Sequence, residues 1–268
     1  MSQANNLECE GRVALVTGAS RGIGAAIAVR LAEAGAQVAV AARTLEPDPK
    51  YVGSLSETVE RIRSNGGTVI PVQADISKSS DRQRMVAETA EALGPIDILV
   101  NNAAVTFYQP FTEFTQKRYD LMFEVQVRAP FELAQLVVPS MRDRGAGWIL
   151  NITSRAGVHP QGPPFLGIYK RGFSVYGMVK AALDRFTTGL AAELFDDGIA
   201  VNSLAPWDNV ATPGASGHDL VEGFPMEDIS WMAEAALALC SCDRSKLTGR
   251  VAYSQPLLAE LQRRPTPG

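Results

Sequence analysis

A glycine-rich segment directly after an apolar run is the feature that most restricts how this chain can fold. The segment runs from Thr17 to Gly24 and reads T-G-A-S-R-G-I-G, and helical periodicity follows it. Its glycines at 18, 22 and 24 allow a tight turn that brings backbone N–H groups at the start of a helix close to an anion. The sequence therefore predicts a strand, a phosphate-binding turn and a helix in succession.

Apolar runs alternate with helical periodicities along most of the 268 residues, which is typical of a parallel sheet covered by helices on both faces. The predicted strands are Arg12–Thr17, Gln37–Ala42, Thr68–Val72, Ile96–Val100, Trp148–Ile152, Ala200–Leu204 and Arg250–Ser254. We therefore expect an α/β fold, a single doubly wound parallel sheet of about seven strands. Residues just after each strand should converge on one crevice, because ligands bind beyond the carboxyl ends of such strands.

Charge, cysteine content and hydropathy restrict the possible partners and location. The net charge of −4 is dispersed, which leaves no basic stripe for a nucleic acid. Cys9, Cys240 and Cys242 show neither metal-ligand spacing nor an even disulfide framework, and buried or idle thiols are the favoured interpretation. No signal pattern or bilayer-length apolar run occurs. We expect a cytoplasmic protein without nucleic-acid, membrane or metal partners.

Three further motifs accompany the glycine segment: N-N-A-A at 101–104, a serine after the fifth strand, and Y-G-M-V-K at 176–180. Together they resemble the short-chain dehydrogenase/reductase family over about Gly11 to Tyr253. We expect one Rossmann-type NAD(P)-binding domain over residues 1–268, in which 1–10 and 256–268 are flexible or interface arms. The resemblance also implies a homo-oligomer, a homodimer or homotetramer.

Tyr176 and Lys180 are four residues apart on a predicted helix, so their side chains share one face. The resemblance implies that Tyr176 is the catalytic acid/base, that Lys180 lowers the pKa of Tyr176 and holds the cofactor ribose, and that Ser154 orients the substrate oxygen. The alternative is a surface Tyr/Lys pair and a loop serine. Gln126 stands where relatives carry an asparagine that holds a water of a proton relay, so an altered relay and full activity are both open.

The end of the second strand indicates the cofactor. An NAD-selective chain usually has a carboxylate there, but this chain has Ala42 and Arg43, and Arg21 lies within the glycine turn. This favours NADP(H) over NAD(H), the alternative being that both arginines are solvated surface residues. The expected cofactor-binding residues are Gly18, Ser20, Arg21, Gly22, Ile23, Gly24, Arg43, Thr44, Asp75, Ile76, Asn102, Ala103, Ala104, Tyr176, Lys180, Pro206, Trp207, Val210 and Thr212.

The segment 155–175 is an insertion at the predicted catalytic mouth, rich in proline, glycine and apolar residues. It is expected either to form the wall of a lipophilic pocket or to pack on a neighbouring subunit. A flexible lid is expected over residues 214–225. The candidate substrate-binding residues are His159, Phe165, Tyr169 and Trp207.

The sequence thus predicts an oxidoreductase that moves a hydride between NADP(H) and a carbonyl or secondary alcohol, with a lipophilic substrate. The run A-A-R-T at 41–44 and the prolines after it resemble hydroxysteroid dehydrogenase-like members more loosely, without fixing a substrate. The alternative is an NADP(H)-binding protein with little turnover, suggested by Gln126.

Overall fold

The structure is a computed structural model and describes residues 7–49, 52–165, 172–210 and 225–265. Strands and helices alternate along these ranges. The strands are β1 (Val13–Thr17), β2 (Gln37–Ala42), β3 (Val69–Gln73), β4 (Ile98–Asn101), β5 (Gly147–Ile152), β6 (Ile199–Ala205), β7 (Asn209–Val210), β8 (Met226–Glu227) and β9 (Val251–Tyr253). The helices are α1 (Gly22–Glu33), α2 (Leu55–Ser64), α3 (Ser79–Leu93), α4 (Gln116–Phe123), α5 (Ala129–Arg144), α6 (Ser174–Glu193), α7 (Ile229–Ser241) and α8 (Ser254–Glu260).

Seven of these strands form one sheet in the order β3-β2-β1-β4-β5-β6-β9, and each neighbouring pair is parallel. The chain order reverses between β1 and β4, which opens a crevice at the carboxyl ends of the strands. Each predicted strand lies within two residues of an observed one. The predicted doubly wound α/β fold is therefore confirmed.

Both faces of the sheet are buried, and β1 shows how the sequence achieves this. Successive side chains of a strand point to opposite faces. Ala14 and Val16 accordingly lie in one hydrophobic cluster with α1 and α7, whereas Val13 and Leu15 lie in the other with α3 and α5. A continuous apolar run is thus what a strand covered on both faces requires.

Arg82 on α3 is a buried charge that connects three elements, with only 1% of its surface exposed. Its Nε donates to Glu132 on α5 at 2.8 Å, and its Nη1 lies 2.8 Å from Glu124 Oε1. Nη1 also donates to the backbone carbonyl of Ile76, just after β3. These contacts compensate the desolvation of the guanidinium and fix α3 against the helices that follow β4.

The C-terminal segment, predicted as a flexible or interface arm over 256–268, is packed in its described part. The last strand ends at Tyr253, and α8 begins directly after it. Leu257 is 2% and Leu258 0% exposed in this helix. The apolar pair explains the packing, because its burial holds α8 against α7.

The N-terminal segment, predicted as an arm over 1–10, is also packed in its described part. Cys9 is fully buried. Arg263 binds both Glu8, at 2.8 Å, and Glu234 of α7, at 2.6 Å. The two ends of the described chain are therefore held together by one guanidinium.

The three cysteines are free thiols within the hydrophobic interior or at its edge. Burial raises the pKa of Cys9 to about 11 and that of Cys242 to about 11, and it raises the pKa of Cys240 well above its usual value. Such thiols stay protonated and unreactive at neutral pH. Within the four described ranges, no helix has the length and apolar character needed to span a membrane.

Candidate active site

A cleft of about 550 Å³ lies at the carboxyl ends of the sheet strands. Its size is in the usual range for sites that bind a small molecule or cofactor. Residues that follow six different strands line it, namely Gly18, Arg43, Asp75, Asn102, Ser154 and Pro206. The predicted convergence on one crevice is therefore confirmed.

The glycine turn is closed against the residues that follow β4. Gly18 has a φ of +66°, and a Cβ there would lie 2.7 Å from Ala103 Cα. A Cβ on Gly24 would collide with Asn102 Nδ2 and the Gly18 carbonyl. The Asn102 amide donates to the carbonyls of Thr17, at 2.9 Å, and Gly18, at 3.1 Å. This turn requires glycine because neighbouring backbone occupies the space of a side chain.

The first residues of α1 are available to an anion. Gly22, Ile23 and Gly24 all line the cleft. The extended residue before the helix, Arg21, makes no side-chain bond to the first helical turn. The first N–H groups of a helix have no partner within it and carry partial positive charge. This end of α1 therefore suits a phosphate group.

Two arginines lie at the same end of the cleft, and within the described residues only Arg21 makes a side-chain hydrogen bond. Arg21 Nη1 donates to the Val52 carbonyl at 2.9 Å, and a Cβ on Gly53 would lie 2.6 Å from the Ser20 carbonyl. The excursion after β2 thus packs on the glycine turn. Arg43 is exposed, lines the cleft, and forms no ion pair within the described ranges. Arg43 is therefore the more available cation.

Asp75 lines the cleft after β3 and also organises its own turn. Its Oδ1 accepts hydrogen bonds from Ser77 N, at 3.1 Å, and Ser77 Oγ, at 2.8 Å. Its backbone N–H donates to Asp81 at 2.8 Å. These bonds hold residues 75–77 in a fixed turn at the edge of the cleft.

Tyr176, Lys180 and Ser154 line the same cleft as the glycine turn. On α6, Lys180 Nζ lies 5.7 Å from the centre of the Tyr176 ring. Burial raises the pKa of Tyr176, and hydrogen bonds from Ser154 and Tyr108 oppose this rise. In the chain alone, the effect of burial on the pKa of Tyr176 prevails, because the phenolate is desolvated. Tyr176 keeps its proton at neutral pH.

Lys180 is 4% exposed, and its Nζ donates to the Ile152 carbonyl at 3.0 Å. Burial lowers the pKa of Lys180 to about 8, and the carboxylate of Asp184 opposes this change. Asp184 follows one turn later on α6, beside the hydroxyls of Thr153 and Ser203. The ammonium is therefore mostly charged at neutral pH but desolvated, so its field acts at short range with little screening.

Residues 12–216 match the short chain dehydrogenase family. The matched region contains the glycine turn and the three polar residues at the catalytic end of the cleft. The chain belongs to this family.

Two curated relatives illustrate the similarity. The chain is 38% identical over 197 residues to an uncharacterized oxidoreductase of Thermotoga maritima, covering 74% of this chain and 71% of that protein. It is 30% identical over 254 residues to human hydroxysteroid dehydrogenase-like protein 2, covering 93% of this chain and 58% of that protein. The alignment thus spans little more than half the length of the human relative.

One solved structure similar to this chain contains NADP. The crystal structure of 3-oxoacyl (acyl-carrier-protein) reductase from Agrobacterium tumefaciens C58, with NADP bound, is 28% identical to this chain. It superposes with a TM-score of 0.78 and covers 94% of this chain and 96% of its own. Close agreement over almost the whole chain supports the assignment of fold and family.

The structure brings most of the predicted site residues of this short-chain dehydrogenase together. The predicted residues that line the cleft are Gly18, Ser20, Arg21, Gly22, Ile23, Gly24, Arg43, Thr44, Asp75, Ile76, Asn102, Ala103, Ala104, Ser154, Tyr176, Lys180, Pro206 and Val210. Four others, Gln126, His159, Phe165 and Trp207, do not line it. Tyr169, Thr212 and residues 214–224 of the predicted lid lie outside the described residues.

Trp207, predicted to contact cofactor and substrate, is directed elsewhere. Its ring lies 4.8 Å below the guanidinium of Arg155 and meets the Tyr253 ring edge-on at 5.9 Å. Its backbone N–H donates to Ser254 Oγ at 3.0 Å, and Ser254 bonds the buried carboxylate of Glu227. The turn after β6 is thus anchored to the start of α8, which the sequence did not show.

His159 and Phe165, predicted as substrate contacts, also lie away from the cleft. His159 is exposed. Phe165 is 49% exposed, and its ring lies against Gly162. Phe173, at the end of the same insertion, does line the cleft. Only this end of the described insertion contributes a wall to the site.

Gln126 supports the cleft from behind. It is 2% exposed on a five-residue π-helix, Glu124–Arg128, so the helix has a bulge at this position. Its Nε2 donates to the Val105 carbonyl at 2.6 Å. Its Oε1 is buried with no hydrogen-bond partner in the described chain, an arrangement that calls for a donor such as water.

The sequence analysis missed Tyr108. This residue lies in the loop after β4 and lines the cleft beside Tyr176. Its position after the N-N-A-A motif was the available signal, since residues beyond each strand were expected at the site. The loop is long, however, and its sequence does not indicate which side chain turns inward.

Proposed function

We propose that this short-chain dehydrogenase is an NADP(H)-dependent oxidoreductase that interconverts a carbonyl and a secondary alcohol. The observation that carries the proposal is the presence of Ser154, Tyr176 and Lys180 on the same cleft as the glycine turn. A hydroxyl donor, a proton donor and a buried ammonium stand at one end, and an anion site stands at the other. This combination suits a cofactor with a pyrophosphate and a reactive ring.

The residues of the cleft fit such a cofactor. The turn around Gly18 and Gly24 leaves no room for a Cβ, and the start of α1 offers free N–H groups. Asp75, Ile76 and Lys180 line the cleft, and we assign Asp75 and Ile76 to the adenine and Lys180 to a ribose hydroxyl. When bound, the nicotinamide supplies or accepts the hydride.

The chain's own residues handle the oxygen and its proton. Ser154 donates a hydrogen bond to the substrate oxygen and stabilises negative charge that develops on it. Tyr176, protonated at neutral pH, delivers its hydroxyl proton to that oxygen during reduction and takes it back during oxidation. Lys180 stabilises the resulting phenolate across the short distance on α6.

The expected preference for NADP(H) rests mainly on Arg43. Replacing Arg43 by alanine is expected to weaken NADPH binding by about 10- to 100-fold, because a charge-assisted hydrogen bond is worth about 1.5–3 kcal/mol. NADH lacks the phosphate that NADPH carries on the 2′-oxygen of its adenosine ribose, so the binding of NADH should change little. Titration of both cofactors by fluorescence measures the two constants.

Arg61→Ala is the control for this experiment, since Arg61 is an exposed arginine of α2 that does not line the cleft. Equal weakening of NADPH and NADH by Arg43→Ala would contradict the proposed role. We expect Arg21→Ala to have the smaller effect on NADPH, because Arg21 already bonds the Val52 carbonyl.

The catalytic end of the cleft favours a lipophilic substrate. Among the described residues, its apolar lining includes Val105, Leu121, Val125, Ile152 and Phe173. Apolar groups of a substrate next to the reacting carbonyl would be removed from water against this wall, which favours their binding. We therefore expect kcat/KM, measured with NADPH on a panel of ketones and aldehydes, to increase with the apolar surface of the substrate.

The second candidate is a cofactor-binding protein with little turnover, which the glutamine at position 126 favours. Tight NADPH binding without turnover on the whole panel would establish it and reject the enzyme. The predicted homodimer or homotetramer and the cytoplasmic location remain predictions.

A further inference from the structure

Tyr108 lies next to Tyr176 in a small aromatic group. The two rings meet edge-on, with 5.4 Å between centroids and an angle of 78°. On its other side Tyr108 packs on Phe173 at 4.8 Å. Aromatic pairs in such contacts are stabilised by more than the burial of their apolar surface. The two contacts therefore hold Tyr108 in place although it belongs to a loop.

We propose that Tyr108 is a further catalytic residue, whose hydroxyl donates a hydrogen bond to the Tyr176 oxygen and stabilises negative charge there. This inference rests on the proposed function, since it assigns a role during proton transfer by Tyr176. The two rings are in contact, and each tyrosine acts on the pKa of the other. When Tyr176 gives its proton to the substrate oxygen, no bond of Tyr108 is broken, and its own proton stays on Tyr108.

The surroundings fix which tyrosine donates. Burial and the adjacent Tyr176 both raise the pKa of Tyr108, whereas at Tyr176 the interactions with Ser154 and Tyr108 oppose the rise in pKa that burial causes. Among the described residues, the other polar groups beside Tyr176 are Ser154 after β5 and Lys180 on α6, with Asp184 behind the lysine. Ser154 must also serve the substrate, so Tyr108 is the hydroxyl donor of the described chain that remains for the phenolate.

The test is Tyr108→Phe, which keeps the ring and its aromatic contacts and removes only the hydroxyl. Protein labelled with ¹³C at tyrosine Cζ is titrated with base, with and without NADP⁺, and the Tyr176 signal is assigned by its loss in Tyr176→Phe. We expect the Tyr176 signal to move at neutral pH and its midpoint to rise by about 1–2 pH units, since hydrogen bonds to charged groups have this strength. The pH profile of alcohol oxidation should shift to higher pH by the same amount.

Tyr119→Phe is the matched control. Tyr119 stacks on Phe123 at 4.6 Å and does not line the cleft, so its replacement should leave the Tyr176 signal unchanged. An unchanged signal and midpoint in folded Tyr108→Phe would overturn the proposal. A shifted Tyr176 signal in a protein without turnover would instead reject the proposed oxidoreductase and retain the hydrogen bond.

Discussion

Replacement of Tyr176 by phenylalanine is expected to lower kcat for carbonyl reduction by about 10²- to 10⁴-fold, the usual contribution of a positioned acid. The variant keeps the ring and its edge contacts with Tyr108 and Phe173. It removes only the hydroxyl that gives the proton. NADPH affinity should stay nearly unchanged, because the pyrophosphate site at the glycine turn is not altered. The measurements are initial rates with NADPH and a fluorescence titration of the same sample.

Two comparisons make the Tyr176 result decisive. Tyr119→Phe removes a hydroxyl outside the cleft and should retain full turnover. Turnover of Tyr176→Phe equal to that of the unchanged protein would reject Tyr176 as the acid. A parallel loss of NADPH binding would show that the substitution had damaged the cleft.

Replacement of Lys180 by methionine is expected to change both activity and the pH dependence of stability. In the folded chain the pKa of Lys180 is about 8 and its usual value is 10.5, because burial disfavours the ammonium. Between these values the folded state holds fewer protons than the unfolded state, so the free energy of unfolding rises with pH. The difference corresponds to about 3 kcal/mol. This gain between pH 8 and 10.5 should be missing from Lys180→Met.

Urea unfolding of the cofactor-free protein across this pH range measures the effect. Lys246→Met is the control, since that side chain is 82% exposed and should leave the pH dependence as it is. Turnover of Lys180→Met should fall by about 10²-fold or more, because the phenolate of Tyr176 loses its neighbouring charge. If the free energy of unfolding rose with pH equally in Lys180→Met and in the unchanged protein, a desolvated Lys180 ammonium would be contradicted.

Much of the fold follows from local sequence. The strand Gln37–Ala42 has the predicted bounds. A strand that is buried on both faces needs apolar residues along its length, and such a run is visible in the sequence. The glycine turn was also recognisable, since only glycine fits where Ala103 and Asn102 approach so closely. The helical spacing of Tyr176 and Lys180 placed both on one cleft.

Two predicted contacts do not line the cleft of the described chain, and their positions share a cause. Trp207 and Phe165 are large apolar residues near the predicted site, and chemistry alone made them plausible contacts. Their orientation depends on partners far away in sequence: Arg155, Tyr253 and Ser254 hold Trp207 away from the cleft. The inward position of Tyr108 was not predicted for the same reason, since its ring partners Phe173 and Tyr176 are far from it in sequence.

The sequence by itself thus determined the parallel sheet and the anion-binding turn, because these depend on periodicity and on residue type at short spacing, while its resemblance to the family supplied the catalytic candidates. Only the tertiary structure decided the charge states and the supporting contacts. Burial raises the pKa of Tyr176 and lowers that of Lys180, and the Gln126 amide finds the Val105 carbonyl. Desolvation and hydrogen bonding are properties of the packed interior, to which residues distant in sequence contribute.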